Sequence, residues 1–219
     1  SRKLPKSKNG NCYLNFIASH DGIGMRPTEG IFGNKVLKNF LNRLKKNGSK
    51  FSYRKIQNKS KKVYEANITV FDALKKTIYD DGKFAYERYI SAHSILVAFE
   101  GVPAIYLNSI FGKSNDEAKF VITGNNRDVN RYKWNAKNIM NKLNNKNSKE
   151  NYFYKKISNL LSIKRKQKAF HPNANRESIN LGPRIFSFKR ESIDKKQTII
   201  CITNLSSKMQ YFKINKKFL

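Results

Sequence analysis

A short apolar run that ends in a polar, glycine-containing loop constrains this chain more than any other feature. Residues 12–18, Cys-Tyr-Leu-Asn-Phe-Ile-Ala, are almost continuously apolar, and Ser19-His20-Asp21-Gly22 follows directly. Such a run predicts a strand that is buried on both faces, as parallel strands in α/β proteins are. Barrel enzymes of that class keep their chemistry at the carboxyl ends of their strands. The pattern therefore predicts an α/β fold with functional residues at this strand end.

Helical and extended patterns alternate from this strand to about residue 167. Leu37, Leu41 and Leu44 have the spacing of one helix face, and Gly48 should end that helix. Further helices are predicted near 84–99 and 150–165, a hairpin at about 51–70, and a second buried strand at 101–107. This order is typical of strand–helix units that carry an insertion.

The pattern changes after Pro172. Short, partly alternating segments separated by turn-forming residues lie at 178–181, 184–190, 198–204 and 210–214. They predict a small antiparallel β-domain. We therefore expect a partial barrel domain in residues 1–167, with the hairpin as an insertion, and a β-domain in residues 168–219 that is truncated at its end.

The net charge of +30, from 45 Lys and Arg against 15 Asp and Glu, allows two interpretations. It fits a nucleic-acid-binding protein, and it also fits a drift in codon usage towards lysine, asparagine and isoleucine. The lysines are spread along the whole chain, and no RNA-binding motif or zinc-ligand spacing accompanies them. The second interpretation is therefore favoured, and we expect only non-specific contacts with nucleic acid.

Membrane and metal-binding classes are not indicated. No apolar run approaches the ~20 residues that a membrane helix needs. Cys12 and Cys201 are far apart in sequence and lack metal-ligand spacing. So few cysteines are typical of a cytoplasmic protein, and we expect neither a metal nor a cofactor.

Several motifs, taken in order, resemble one family. Residues 15–30, Asn-Phe-Ile-Ala-Ser-His-Asp-Gly-Ile-Gly-Met-Arg-Pro-Thr-Glu-Gly, strongly resemble the strand-seven signature of the sucrose phosphorylase branch of the α-amylase superfamily. Residues 101–106 are similar to strand eight of that branch, and residues 123–134 to the loop that follows it. Segments 64–74, 168–174 and 185–190 match further parts of the branch. The resemblance covers nearly the whole chain.

The resemblance implies a fold and an activity. The fold would be the C-terminal part of a (β/α)8 barrel, with strands seven and eight and their helices, followed by a small antiparallel β-domain. The activity would be retaining transfer of an α-glucosyl group, as in a glycoside phosphorylase. The substrates would be an α-glucoside such as sucrose or glucosylglycerate, together with inorganic phosphate.

The resemblance also assigns roles to individual residues. Asp21 takes the place of an aspartate that stabilises the transition state without forming a covalent bond. His20 and Arg127 match residues that bind the glucosyl ring. Asn115 and Asp116 lie in a loop that resembles the acceptor-side loop, so they are candidates for substrate binding.

The same residues have simpler interpretations when the motif is set aside. An aspartate before glycine is more often a turn residue than a catalytic one. Arg127 and Arg131 would then form a solvated pair of surface arginines.

The nucleophile and the acid/base of such an enzyme are expected before strand seven. The family places an Asp nucleophile after strand four and a Glu acid/base after strand five. Upstream of Asn11 this chain has only a basic decapeptide, and no Gly-x-Arg-x-Asp-Ala segment occurs in it. We therefore expect that the chain alone does not turn over sugar.

Three origins remain open: a split-gene subunit that pairs with an N-terminal half-enzyme, a decayed gene product, and a piece of a longer protein. Two other functions also remain open. One is a non-catalytic remnant that keeps the carbohydrate-site residues, and the other is a basic nucleic-acid-binding protein.

Overall fold

The computed structural model describes residues 5, 7, 10–56, 60–215 and 218. The strands are β1 (Leu14–Asn15), β2 (Ile23–Gly24), β3 (Lys50–Lys55), β4 (Lys61–Asn67), β5 (Val102–Pro103), β6 (Asn175–Ile179), β7 (Ile185–Glu191) and β8 (Thr198–Asn204). The helices are α1 (Asn34–Lys46), α2 (Val70–Lys75), α3 (Ala85–Ala98), α4 (Leu107–Ile110), α5 (Glu117–Thr123), α6 (Ala136–Asn144) and α7 (Lys149–Lys166). The helix predicted from Leu37, Leu41 and Leu44 and those predicted near 84–99 and 150–165 are confirmed as α1, α3 and α7.

The two predicted barrel strands form a short parallel pair. In β1 and β5, Leu14 lies opposite Val102 and Asn15 lies opposite Pro103. Both strands are shorter than the sequence predicts, and the prediction that β1 is buried on both faces is wrong: Leu14 is 64% exposed and Phe16 is 58% exposed. A parallel strand is buried only when strands and helices cover both faces, and among the described residues β1 and β5 pair only with each other.

Contacts divide the chain into two units, and the first combines the described residues of 1–16, 90–104 and 157–219. It holds the β1–β5 pair and an antiparallel sheet in the order β6-β7-β8. Phe99 packs against Phe186 and Phe188 of β7, with ring centroids 6.0 and 5.2 Å apart. Arg190, also on β7, is fully buried and donates hydrogen bonds to the carbonyls of Ala98 (3.0 Å) and His171 (2.7 Å).

The strand predicted at 210–214 is wrong, because the structure has no strand after β8 among the described residues. The chain instead turns at Ser206, whose hydroxyl donates to the carbonyl of Lys208 at 3.0 Å. Tyr211 and Phe212 are 89% and 42% exposed, so these apolar residues of the predicted strand have no surface to cover.

The second unit combines residues 17–89 and 105–156, of which 57–59 are not described. Its antiparallel sheet has the order β2-β4-β3. The hairpin strands predicted in 51–70 are β3 and β4, and their connecting turn lies outside the described residues. The helix α1 covers this sheet because Leu37, Leu41 and Leu44 pack with Met25 and Ile68 in one apolar core. The predicted end of α1 is confirmed, since Gly48 adopts a φ of +95° there.

An aromatic cluster forms a second core in this unit. Phe153 is fully buried, and its ring lies 4.7 Å from the rings of Tyr86 and Tyr89 and 5.6 Å from that of Phe71. Gly112 approaches the Phe153 ring so closely that a side chain there would overlap it. The cluster ties α2, α3 and α7 together.

These two units do not test the predicted domain boundary between residues 167 and 168, which stays a prediction.

Among the described residues, no helix combines the length and the apolar composition that crossing a bilayer requires.

Candidate active site

A tight turn presents the Ser-His-Asp segment. The backbone N–H of Ser19 donates to the carbonyl of Gly22 at 2.9 Å, and that of Gly22 donates to the carbonyl of Ser19 at 3.1 Å. Gly22 has a φ of +113°, and a Cβ there would lie 2.9 Å from the Cα of Asn67 and nearer still to the carbonyl oxygen of Ala66. Glycine is therefore required, because the turn lies directly against β4.

The backbone of Asp21 is held at both of its polar groups. Its N–H donates to the Ser19 hydroxyl at 3.2 Å, and its carbonyl accepts from the Asn67 side-chain amide at 2.8 Å. Asn67 is fully buried at the end of β4, and its Oδ1 accepts from the Ser52 hydroxyl at 2.8 Å. This fixed backbone is the kind of support that holds a functional carboxylate in one position.

Three cationic or polar groups converge on one oxygen of the Asp21 carboxylate. Oδ1 lies 2.5 Å from Nη2 of Arg131, 3.2 Å from Nε2 of His20 and 3.4 Å from Nε of Arg127. The Asp21 side chain is 25% exposed. Arg131 donates its hydrogen bond to Oδ1, and no described residue donates one to Oδ2, so Oδ2 is the oxygen that can accept from a bound molecule.

Glu65 holds Arg127 in place. The guanidinium meets the carboxylate of Glu65 at two points, Nη2 to Oε1 at 2.7 Å and Nε to Oε2 at 3.1 Å, which is the bidentate geometry of a strong pair. The hydrogen bond to Glu65 is the main reason that the pKa of Arg127 is raised. Arg127 is therefore a fixed, permanent cation beside Asp21.

A 3₁₀ turn over Asn126–Asn130 positions both arginines. The side chain of Asn125 caps it by accepting from the Arg127 N–H at 3.1 Å, and Asn130 donates to the carbonyl of Ser19 at 2.6 Å. The four-residue spacing of Arg127 and Arg131 brings both to the same carboxylate. Both arginines thus pair with carboxylates, so the alternative of two solvated surface arginines is wrong.

His20 forms the open side of the site. Its side chain is 61% exposed, and its ring lies 6.5 Å from the ring of Tyr106 in an edge-on arrangement. Tyr106 donates its hydroxyl to the carbonyl of Asn130 at 3.0 Å, and burial raises the pKa of this hydroxyl. We call the group of Asp21, His20, Arg127, Arg131 and Glu65 the Asp21 cluster.

No protein-family model matches the chain, but individual proteins do. A glucosylglycerate phosphorylase of Escherichia coli (strain K12) is 32% identical over 214 residues, which are 96% of this chain and 37% of the relative. The predicted resemblance to the sucrose phosphorylase branch is confirmed. A second glucosylglycerate phosphorylase, from Spirochaeta thermophila, is 28% identical over 194 residues, which are 89% of this chain and 33% of the relative. The chain thus spans about a third of the length of these curated relatives.

The likeness to a solved structure of the branch shows the fold. The crystal structure of sucrose 6F-phosphate phosphorylase from Thermoanaerobacter thermosaccharolyticum matches 88% of this chain and 36% of its own, with a TM-score of 0.72 and 19% identity. The predicted fold class is confirmed: the C-terminal part of a (β/α)8 barrel followed by a small antiparallel β-domain.

Asn115 and Asp116, which the resemblance to the branch suggested as acceptor-side residues, have local bonding roles. Oδ1 of Asn115 accepts from the N–H of Thr69 at 2.9 Å, and Asp116 caps α5 by accepting from the N–H of Lys119 at 3.1 Å. No described contact joins either residue to the Asp21 cluster. Their part in choosing an acceptor stays a prediction.

Glu65, Asn67 and Arg131 belong to the site, although the motifs assigned none of them a role in it. Glu65 and Asn67 lie on β4, more than forty residues from Asp21, and no spacing rule connects them. The four-residue spacing of Arg131 from Arg127 was the one local pattern in the sequence that could have assigned Arg131 to the site. The described residues contain no group of three or more His, Cys, Asp or Glu side chains placed to hold a metal ion.

Proposed function

We propose that this chain supplies the sugar-binding side of a retaining α-glucosyl-transferring glycoside phosphorylase, with Asp21 as its transition-state stabiliser. The observation that carries the proposal is the geometry of the Asp21 cluster, in which one carboxylate oxygen accepts a hydrogen bond from Arg131 and lies close to His20 and Arg127, while no described residue donates a hydrogen bond to the other oxygen. The family of the relatives, which are named as phosphorylases, supports the reaction class.

The geometry suits a carboxylate that stabilises positive charge developing on a sugar ring. Oδ2 of Asp21 would accept hydrogen bonds from two ring hydroxyls, and these bonds strengthen as the ring becomes positively charged in the transition state. Arg131 and the fixed Asp21 backbone hold the carboxylate so that it need not reorient during the reaction. His20 and Arg127 would bind further hydroxyls at the open side.

The proposed substrates are an α-glucoside such as glucosylglycerate or sucrose, and inorganic phosphate. The names of the relatives support this substrate class, since two of them are glucosylglycerate phosphorylases and the structural neighbour is a sucrose 6F-phosphate phosphorylase. A cytoplasmic location remains a prediction from the low cysteine content.

An N-terminal half-enzyme is the proposed partner, and it would carry the nucleophile and the acid/base. The exposed apolar side chains of Leu14, Phe16 and Val102 on the β1–β5 pair support this partner, because neighbouring barrel strands would cover them. The outer edges of this pair would also receive strand partners. The length of the relatives, about three times the matched part, leaves room for such a region.

The test is to produce this chain together with the N-terminal region of the Escherichia coli relative and to measure phosphate-dependent release of α-glucose 1-phosphate from glucosylglycerate and sucrose. We expect activity only when both polypeptides are present. Asp21→Asn should lower kcat by about 10²–10³-fold, the loss typical of one preorganised electrostatic contact.

Asp81→Asn is the matched control, because the Asp81 side chain is 89% exposed and pairs only with Lys76 in the described structure. It should leave kcat unchanged. Full activity in Asp21→Asn would refute the role of Asp21. A complex that forms but releases no product would refute the proposal and favour the non-catalytic remnant.

A further inference from the structure

A cleft of about 640 Å³ lies in the unit formed by residues 17–89 and 105–156, and no residue of the Asp21 cluster lines it. The last residues of α2, the first turn of α3 and the first turn of α7 form its walls. The side chains that matter for its chemistry are Lys75, Lys83, Lys149, Ser114, Tyr86 and Tyr152. We call it the lysine cleft.

Four acids that lie near the lysine cleft, outside its lining, are already bonded to other groups. Asp80 pairs with Arg88, Asp81 with Lys76 at 2.8 Å, and Glu150 with Lys142 at 2.5 Å. A fourth acid, Asp72, accepts from the backbone N–H of Asn115 at 2.6 Å.

The lysines of the cleft are left without an acid. None of Lys75, Lys83 and Lys149 forms an ion pair with a described residue, and Glu87 is the single carboxylate in the lining. Three lysines against one carboxylate leave two positive charges, which matches a dianion.

The positive charge of Lys149 is only partly compensated by nearby carboxylates. Its ammonium lies 4.2 Å from the centroid of the Phe71 ring and donates to the Ser114 hydroxyl at 3.1 Å. Burial lowers the pKa of Lys149, which means that its charge is incompletely compensated in the folded protein. An anion bound there would restore the compensation, and Ser114 would donate its own hydroxyl hydrogen to it.

Tyrosine rings lie beside these charges. The rings of Tyr86 and Tyr152 have centroids 5.3 Å apart and are tilted at 42°, and Tyr86 is 37% exposed. Such an aromatic wall favours a flat ring next to the anionic group. We propose that the lysine cleft binds a phosphate monoester whose phosphate meets the three lysines and whose flat ring packs on the tyrosines.

The test is calorimetric titration of the full chain with phenyl phosphate in 150 mM salt at neutral pH. We expect phenyl phosphate to bind at least tenfold more tightly than inorganic phosphate, and we expect phenol not to bind, because both the charge and the ring are needed. Equal affinity for phenyl phosphate and inorganic phosphate would overturn the role of the tyrosines.

Charge-matched variants distinguish the cleft from the general positive charge of the chain. Lys75→Gln/Lys83→Gln removes two exposed lysines of the cleft, and Lys35→Gln/Lys38→Gln removes two exposed lysines of α1. We expect at least a tenfold loss of phenyl phosphate affinity in the first variant and no change in the second. An equal loss in both, or no loss in either, would overturn the proposal.

Asp21→Asn separates the cleft from the proposed reaction site, where phosphate would also bind. Phenyl phosphate affinity should be unchanged in this variant. Binding that changes in Asp21→Asn, where the loss of the carboxylate leaves Arg127 and Arg131 available to an anion, and is kept in Lys75→Gln/Lys83→Gln would assign the ligand to the Asp21 cluster and refute the lysine cleft. Activity of the enzyme plays no part in this experiment, so its failure and that of the proposed function are distinguishable.

Discussion

Gly112→Ala should destabilise the protein strongly because Gly112 lies directly against a buried ring. A Cβ at this position would be 2.6 Å from Cε2 of Phe153 and nearer still to Cδ2. Any movement of the Phe153 ring must displace neighbouring rings, since the ring centroids of Tyr86 and Tyr89 lie 4.7 Å away and Phe71 packs on the same cluster. Either the backbone at residue 112 or the whole aromatic cluster must shift.

The structure offers a control with the same backbone conformation and no overlap. Gly112 has a φ of +59° and Gly124 a φ of +65°, but a Cβ on Gly124 would meet nothing within 4 Å. A left-handed alanine costs about 1–2 kcal/mol at either position. Overpacking at Gly112 adds about 1–3 kcal/mol. We therefore expect losses of about 1–2 kcal/mol for Gly124→Ala and about 2–5 kcal/mol for Gly112→Ala.

The free energies of unfolding of the two variants and the wild type can be compared by urea denaturation, followed by tryptophan fluorescence and by circular dichroism. The near-ultraviolet circular dichroism of the tyrosines should also change in Gly112→Ala and not in Gly124→Ala. Equal free energies of unfolding for the two variants would show that Phe153 is not held as tightly as its ring contacts imply.

Two further predictions concern single buried groups. Asn67→Ala should lower the free energy of unfolding by about 1–3 kcal/mol, because it leaves the Asp21 carbonyl and the Ser52 hydroxyl without their partner. Ser52→Ala removes only one of these bonds and should lower the free energy of unfolding by less. Equal losses for the two variants in urea denaturation would contradict this reasoning. Burial and the nearby Arg190 lower the pKa of Lys164 from 10.5 to about 8, so the folded protein loses this proton before the unfolded chain does. Wild-type stability relative to Lys164→Met should therefore rise between pH 8 and 10.5 and level off on either side, and a pH-independent difference in thermal unfolding would refute the assignment.

The predicted elements that are correct rest on local patterns. Leu37, Leu41 and Leu44 predict α1 because helical spacing and its glycine stop are properties of a few neighbouring residues. The short helices α2, α5 and α6 escaped prediction because they have too few turns for a periodic pattern. Their capping side chains, Thr69, Asp116 and Asn135, were the available signals.

The incorrect elements depend on partners that a local pattern does not contain. The apolar run at 12–18 predicts burial, yet Leu14 and Phe16 are exposed, because burial of a parallel strand requires strands and helices that cover both of its faces. The partial alternation at 210–214 predicts a strand, but Tyr211 and Phe212 are exposed and have no surface to cover. In both cases the residue pattern suits a strand, but the surrounding structure determines whether that strand forms and is buried.

Motif resemblance predicted part of the candidate site, and the fold adds residues that the motifs did not assign to it. Motif resemblance brought His20, Asp21 and Arg127 together, and the structure places all three in one cluster. Glu65 joins the cluster, and Asn67 supports the backbone of Asp21, through the register of β2 against β4, in which Gly24 lies opposite Glu65. That register is a long-range property, so sequence spacing alone did not reveal these two residues.

The excess of positive charge limits which ionic contacts can be used to identify a functional site in this protein. With 45 basic and 15 acidic residues, almost any carboxylate finds a cation, so an ion pair by itself says little about function. Asp21 stands apart because its N–H and carbonyl are both bound and its cations meet only one of its oxygens. The lysine cleft also rests on geometry, because its three lysines form no ion pair with a described residue and line one cleft that holds a single carboxylate, Glu87. Geometry around a charge, rather than the charge itself, therefore separates the candidate sites from the basic surface.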